Sequence, residues 1–155
     1  MNLRHIEPIA RPLVRAYARA TRGMTLGVRG LVTDAENRVL LVRHTYMPDW
    51  YMPGGGVEWG ESAEAAMARE LVEEAGVRLT ARPELVSMHN NHRSHRGDHV
   101  LVYRATAWEA CKATSRGEIE AVEWFAPESL PDDVSGGTRR RLEEVFRGAE
   151  VSPDW

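Results

Sequence analysis

Three glutamates, Glu70, Glu73 and Glu74, stand in the run RELVEE, shortly after the glycine cluster PGGG at Pro53–Gly56. Counted at 100° per residue on a helix, their carboxylates fall on one arc about 100° wide, while Ala68, Leu71, Val72 and Ala75 fall on roughly the opposite side. Two like charges about 6 Å apart repel by roughly 3 kcal/mol at an effective dielectric near 20. A cation among them removes that cost. Carboxylate oxygens are hard donors, and several beside a phosphate suit Mg²⁺ or Mn²⁺, whereas Zn²⁺ recruits His or Cys as well. The chemistry implied is metal-assisted work on a phosphorylated ligand. An acidic run by itself more often marks a solvated helix face, so its surroundings decide.

The element that must position these acids is a helix over residues 62–75, with Ser62 as N-cap and Gly76 at the C-terminal left-handed position. Arg69 stands at (i, i+4) from Glu73 and can orient it. Ala63 and Ala66 share the acidic side of the wheel and are expected to leave an open channel for a ligand. Gly54, Gly55 and Gly56 let backbone approach the helix closely. Before the glycines, TLGVRGLVTD and RVLLVRHT, separated by AEN, read as a β-hairpin. After the helix, LTARPELVSMH and DHVLVYRATAWEA read as two strands joined by the loop NNHRSHRG, AVEWFAP as another strand, and about 138–147 as a final helix. Residues 8–22 place Ile9, Leu13, Ala16, Tyr17 and Ala20 at helical spacing, so 1–22 is expected to be an amphipathic helical extension that packs on its own domain or forms a homodimer contact. Interleaved strands and helices with no linker or repeat predict one α/β domain over 1–155, a sheet with helices on both faces.

At 155 residues, with 43% hydrophobic and 28% charged residues, the chain is long enough for one packed core. A net charge of −3 gives no global pull toward nucleic acid or anionic membrane. A single cysteine, Cys111, suits a reducing compartment, and no apolar run is long enough to span a bilayer, so a cytoplasmic location is expected. Two features bear on substrate choice. The segment HNNHRSHRGDH (89–99) can grip phosphate or sugar through Arg93, Arg96 and its histidines, which do not follow a zinc spacing. Trp50, Tyr51 and Trp59 flank the glycines and either stack on a base or complete a core.

Gly55, Glu61, Arg69, Glu70, Leu71, Glu73, Glu74, Gly76 and Val77 together fill the pattern of the Nudix box, and the chain resembles that family over this stretch. A chance match in a chain of this length falls below about 10⁻⁷. The resemblance implies an α/β/α sandwich with a mixed β-sheet and Mg²⁺- or Mn²⁺-dependent hydrolysis of a phosphoanhydride in a nucleoside diphosphate linked to another moiety, ADP-ribose or another nucleotide sugar ahead of an oxidised nucleoside triphosphate. Carried over by position, Glu70, Glu73 and Glu74 would be metal ligands with the Gly54 carbonyl as a further one, while Gly55, Glu61, Arg69 and Gly76 would brace the motif. Glu73 or Glu74 would take the proton of the attacking water, or a glutamate beyond the box would, with Glu118 preferred over Glu120 and Glu123. A non-catalytic nucleotide-sensing module is expected to lose box acids, and none is lost. An RNA-end hydrolase calls for a basic, aromatic-rich patch that the sequence lacks.

Overall fold

The structure, a computed structural model, describes Tyr17 and residues 23–115 and 117–155. In chain order it contains β1 (Thr25–Val32), β2 (Val39–His44), β3 (Trp50–Tyr51), α1 (Ala63–Glu70) running into a π-helical turn (Leu71–Ala75), β4 (Val77–Leu79), β5 (Glu84–Asn90), β6 (Asp98–Ala105), β7 (Trp108–Ala110), β8 (Ile119–Phe125) and α2 (Gly136–Arg147). β6 lies between β1, parallel to it, and β5, antiparallel to it, which makes a mixed sheet. β2 lies antiparallel between β3 and β8, and β4 pairs with β7.

Strand periodicity sorts the apolar side chains into two cores. Val28 and Val32 of β1, Leu40 of β2 and Leu101, Tyr103 and Ala105 of β6 pack with Ala66, Met67 and Leu71 of the acidic helix. Their neighbours in sequence, Leu31, Val39, Leu41 and Val102, pack with Trp50, Met52 and Leu142 of α2. Successive side chains on a strand point to opposite faces, so runs that are apolar at every position fill both layers. The molecule is thus an α/β/α sandwich with one helix against each face, as the interleaved pattern predicts.

Several expectations change in detail. β1 and β2 do not form a ladder. The chain turns at Asp34–Asn37, with Asn37 at φ 59°, and Thr33 bridges Val39, but β1 then pairs with β6 and β2 with β3 and β8. Both long strands expected after the helix break at matching places: one at 80–83, before and at Pro83, the other at Thr106–Ala107, where Thr80 N–H donates to the Ala107 carbonyl at 3.0 Å. Together they form a single bent hairpin. Ala66 is fully buried in the first core and Ala63 packs against it, so neither opens a ligand channel. The helix expected over 8–22 falls, apart from Tyr17, outside the described residues. Among the described residues no helix is long and apolar enough to cross a membrane.

Candidate functional site

The acidic helix starts and stops as its sequence dictates. Ser62 Oγ accepts from Ala65 N–H at 3.1 Å, and Gly76 closes it at φ 63°. Between them the regular α pattern fails: the last turn, Leu71–Ala75, is π-helical. A π turn widens the coil and shifts each later side chain around the axis, and such turns are frequent at functional sites. Glu73 and Glu74 nevertheless differ sharply in burial. Glu74 is swung inward and is only 8% exposed, while Glu73 keeps a 40% exposed side chain.

The glycine loop runs beside β1 and meets the helix. Val28 N–H donates to the Gly55 carbonyl at 2.9 Å and Gly30 N–H to the Pro53 carbonyl at 2.8 Å. Gly54 has φ 142°, and a Cβ there would lie 2.1 Å from the Val28 oxygen, so no other residue fits. At Gly55 a Cβ would lie 2.5 Å from Glu70 Oε1. The missing side chain is what lets the Glu70 carboxylate reach the loop. Glu74 Oε2 in turn accepts from Gly54 N–H at 2.8 Å, tying the loop to the helix through an acid.

Arg69 supplies most of the local neutralisation. Its Nη2 donates to Glu61 Oε1 at 2.7 Å and to the Gly56 carbonyl at 3.1 Å, and its Nη1 to Glu70 Oε1 at 2.7 Å and Glu73 Oε2 at 3.3 Å. These bonds hold the Glu61 carboxyl below its ordinary range, helped by Glu58 N–H. The network takes in three carboxylates, Glu61, Glu70 and Glu73, where sequence spacing had paired Arg69 with Glu73 alone.

A second cation was not singled out from sequence. Arg29 of β1 donates from Nη1 to the Gly54 carbonyl at 2.7 Å and to the Met52 carbonyl at 3.2 Å. Burial lowers its pKa, against the fields of Glu74 and Glu70. The available signal was a lone charge inside the otherwise apolar strand TLGVRGLV. His44, at the end of β2, is also buried, with Nε2 3.7 Å from Glu74 Oε1. Burial pushes its imidazole below the ordinary value, Arg29 adds to that, and Glu118 opposes it. Burial likewise pushes the Glu74 carboxyl up to about 7; Gly54 N–H and Arg29 pull it back, and Glu70 and Glu118 push it further. Glu118 sits on an exposed loop whose carbonyl accepts from Thr45 N–H at 2.9 Å, which brings this acid beside His44 and Glu74.

The histidine-rich loop borders a cleft of about 300 Å³ through Asn91, His95 and Asp98, opposite Arg29, Gly55 and Gly56, with Trp155 as a further wall. Arg93 and Arg96 do not line it: Arg93 is 89% exposed and pairs with Asp154 at 3.6 Å, and Arg96 is exposed. Trp50 completes the second core, at 4% exposure, whereas Trp59 is 88% exposed.

The donor set offered to a metal is one of hard oxygens: the carboxylates of Glu70, Glu73 and Glu74 and the Gly54 carbonyl. Burial above all raises the Glu74 pKa, with the field of Glu70 adding to it, and a divalent cation would relieve both costs. Among the described residues, however, no group of three or more His, Cys, Asp or Glu side chains is gathered as a ligand shell. Arg69 draws Glu70 and Glu73 to itself, and Arg29 occupies one lone pair of the Gly54 oxygen.

The NUDIX domain profile matches residues 23–145. The chain belongs to the Nudix family. A MutT-like protein of Streptomyces ambofaciens is 31% identical over 125 residues, covering 81% of this chain and 79% of that one. Diphosphoinositol polyphosphate phosphohydrolase 2 of Rattus norvegicus is 39% identical over 101 residues, 62% of this chain and 54% of its own length. Among solved structures, the MutT Nudix hydrolase of Burkholderia pseudomallei superposes with a TM-score of 0.68 at 30% identity, over 79% of this chain and 98% of that chain. With every box acid present, this Nudix domain is a hydrolase.

Proposed function

We propose that the chain is a Mg²⁺- or Mn²⁺-dependent pyrophosphohydrolase that splits the phosphoanhydride of a nucleoside diphosphate linked to another moiety, with ADP-ribose or another nucleotide sugar as the substrate class. The observation that carries this reading is the Glu74 carboxylate: buried, fixed by Gly54 N–H, and surrounded by the fields of Glu70 and Glu118. Glu70, Glu74 and the Gly54 carbonyl would hold the metal, joined by Glu73 from the exposed side once it leaves Arg69. When bound, the ion neutralises phosphate charge and acidifies a coordinated water. A carboxylate ligated to a dication is a weakened base, which favours Glu118, on its exposed loop beside Glu74, as the group that takes the proton from water. Arg69 and Glu61 keep the acids oriented, and Arg29 holds the glycine loop against β1. The partner is a small nucleotide.

The test is hydrolysis of ADP-ribose, nucleotide sugars and nucleoside triphosphates with and without added Mg²⁺, with products resolved by chromatography. A nucleoside monophosphate released only when metal is present is the expected result. Turnover that ignores Mg²⁺, or no turnover on any nucleotide, overturns the reading. Glu118→Gln should lower kcat by about 10²–10⁴-fold, the usual contribution of a general base, with little change in KM.

A further inference from the structure

The cleft beside the glycine loop has two chemically different ends. Its floor is the face of β1 and β6 that carries Thr25, Gly27 and Arg29 opposite Asp98, Val100 and Val102. Arg29 is four residues from Thr25 along the strand, about 13 Å at the usual rise. At the Arg29 end lie the glycine loop and the box acids. At the far end Asp98 is held as a fixed acceptor: Thr25 Oγ1 donates to Oδ1 at 2.6 Å and Asn91 Nδ2 to Oδ2 at 2.8 Å.

Trp155 walls that far end and is held from several sides. Its N–H donates to the Asn90 carbonyl at 3.0 Å, Asn90 N–H donates to the Pro153 carbonyl at 2.8 Å, and Arg140 donates to the Trp155 carbonyl at 2.6 Å. The Arg141 guanidinium lies 5.4 Å from its ring centre, and a Cβ at Gly137 would come within 2.4 Å of its Nε1, so only glycine leaves room for the indole. The buried His89 ties the same segment down, its two ring nitrogens facing the Ser152 carbonyl and Ser87 Oγ, each at 2.7 Å. An aromatic wall immobilised beforehand costs little further entropy on binding.

A fixed carboxylate repels phosphate and attracts N–H and O–H donors, and a fixed indole offers a stacking face. Among the described lining residues Arg29 is the only guanidinium or ammonium group, and carbonyls already engage it. We infer that Asp98, Asn91 and Trp155 form the nucleoside end of the cleft, Trp155 stacking on a planar base and Asp98 accepting from nucleoside donors. The inference rests on the nucleotide reading above and assigns specificity to residues outside the box.

The experiment is calorimetric titration of the metal-free full chain with AMP, GMP, CMP, UMP, inorganic phosphate and a diphosphoinositol polyphosphate. At least one nucleoside monophosphate should bind about tenfold or more tightly than phosphate. Asp98→Asn and Trp155→Ala should each weaken that affinity by about tenfold, Trp155→Phe should recover part of it, and phosphate binding should not change. Should Trp155→Ala fail to fold, Asp98→Asn with Trp155→Phe decides. Unchanged nucleotide affinity in the variants, no advantage of any nucleotide over phosphate, or tighter binding of the inositol compound overturns the inference. Because no metal or turnover is involved, a failure of hydrolysis in the assay above is distinguishable from a failure here.

Discussion

At the scale of single residues, the answer to the crowded acids is that each is held differently. Glu74 is buried against Gly54 N–H, Glu70 bonds Arg69 and Glu73 stays half-exposed. Glu74→Gln keeps the shape and removes the charge, so turnover should fall by orders of magnitude while the fold persists. The same variant reports on protonation. A carboxyl whose folded pKa is raised binds more protons folded than unfolded, so its contribution to stability is lost as pH rises from about 4.5 through about 7. That contribution is on the order of 3 kcal/mol. In metal-free buffer the melting temperature of Glu74→Gln relative to wild type should therefore rise between about pH 5 and about pH 8. A constant difference across that range would contradict the assignment. Arg69→Lys replaces a fork serving Glu61, Glu70, Glu73 and the Gly56 carbonyl by a point charge, and should cost about 1–2 kcal/mol in urea unfolding and raise the Mg²⁺ concentration for half-maximal rate.

Among elements, the glycine loop and the π turn do the positioning. The loop is narrow only where the structure demands it. Gly54→Ala forces a Cβ onto the Val28 oxygen in a conformation that side chains rarely adopt, and should destabilise by about 2 kcal/mol or more. Gly56, where a Cβ would meet nothing within 4 Å, should accept alanine within about 0.5 kcal/mol. Equal effects in denaturant titrations would show that loop entropy, not contact, decides. Counting at a fixed angle put Glu73 and Glu74 on one face, yet the glycine loop and His44 close over Glu74 alone. A helical wheel carries no information about which strand or loop packs over a given side chain.

For the whole molecule, the proposed metal binding would couple the site to stability. An ion that binds the folded chain raises its stability by RT ln(1 + [L]/Kd), about 1.4 kcal/mol at tenfold saturation. Mg²⁺ should thus raise the melting temperature of wild type and leave Glu74→Gln almost unmoved. A shift of equal size in both would place the ion elsewhere. The coupling would be a property of the whole fold, because the acids come from one helix, the carbonyl from a loop, and Arg29 and Glu118 from segments far apart in the chain.

The sequence by itself determined the α/β/α architecture, the capped acidic helix, the glycine loop and the family, since all of these rest on local spacing: strand alternation, cap residues and the box. Tertiary structure alone decided which strands pair, that Ala66 is core, that Arg29 holds the Gly54 carbonyl, and that Asn91, Asp98 and Trp155, not Arg93 and Arg96, line the cleft. Partners such as Arg29 and Gly54, or Trp155 and Asn90, stand far apart along the chain. Contacts of that kind leave no periodic trace, because they depend on where packing carries each strand and not on what stands beside it.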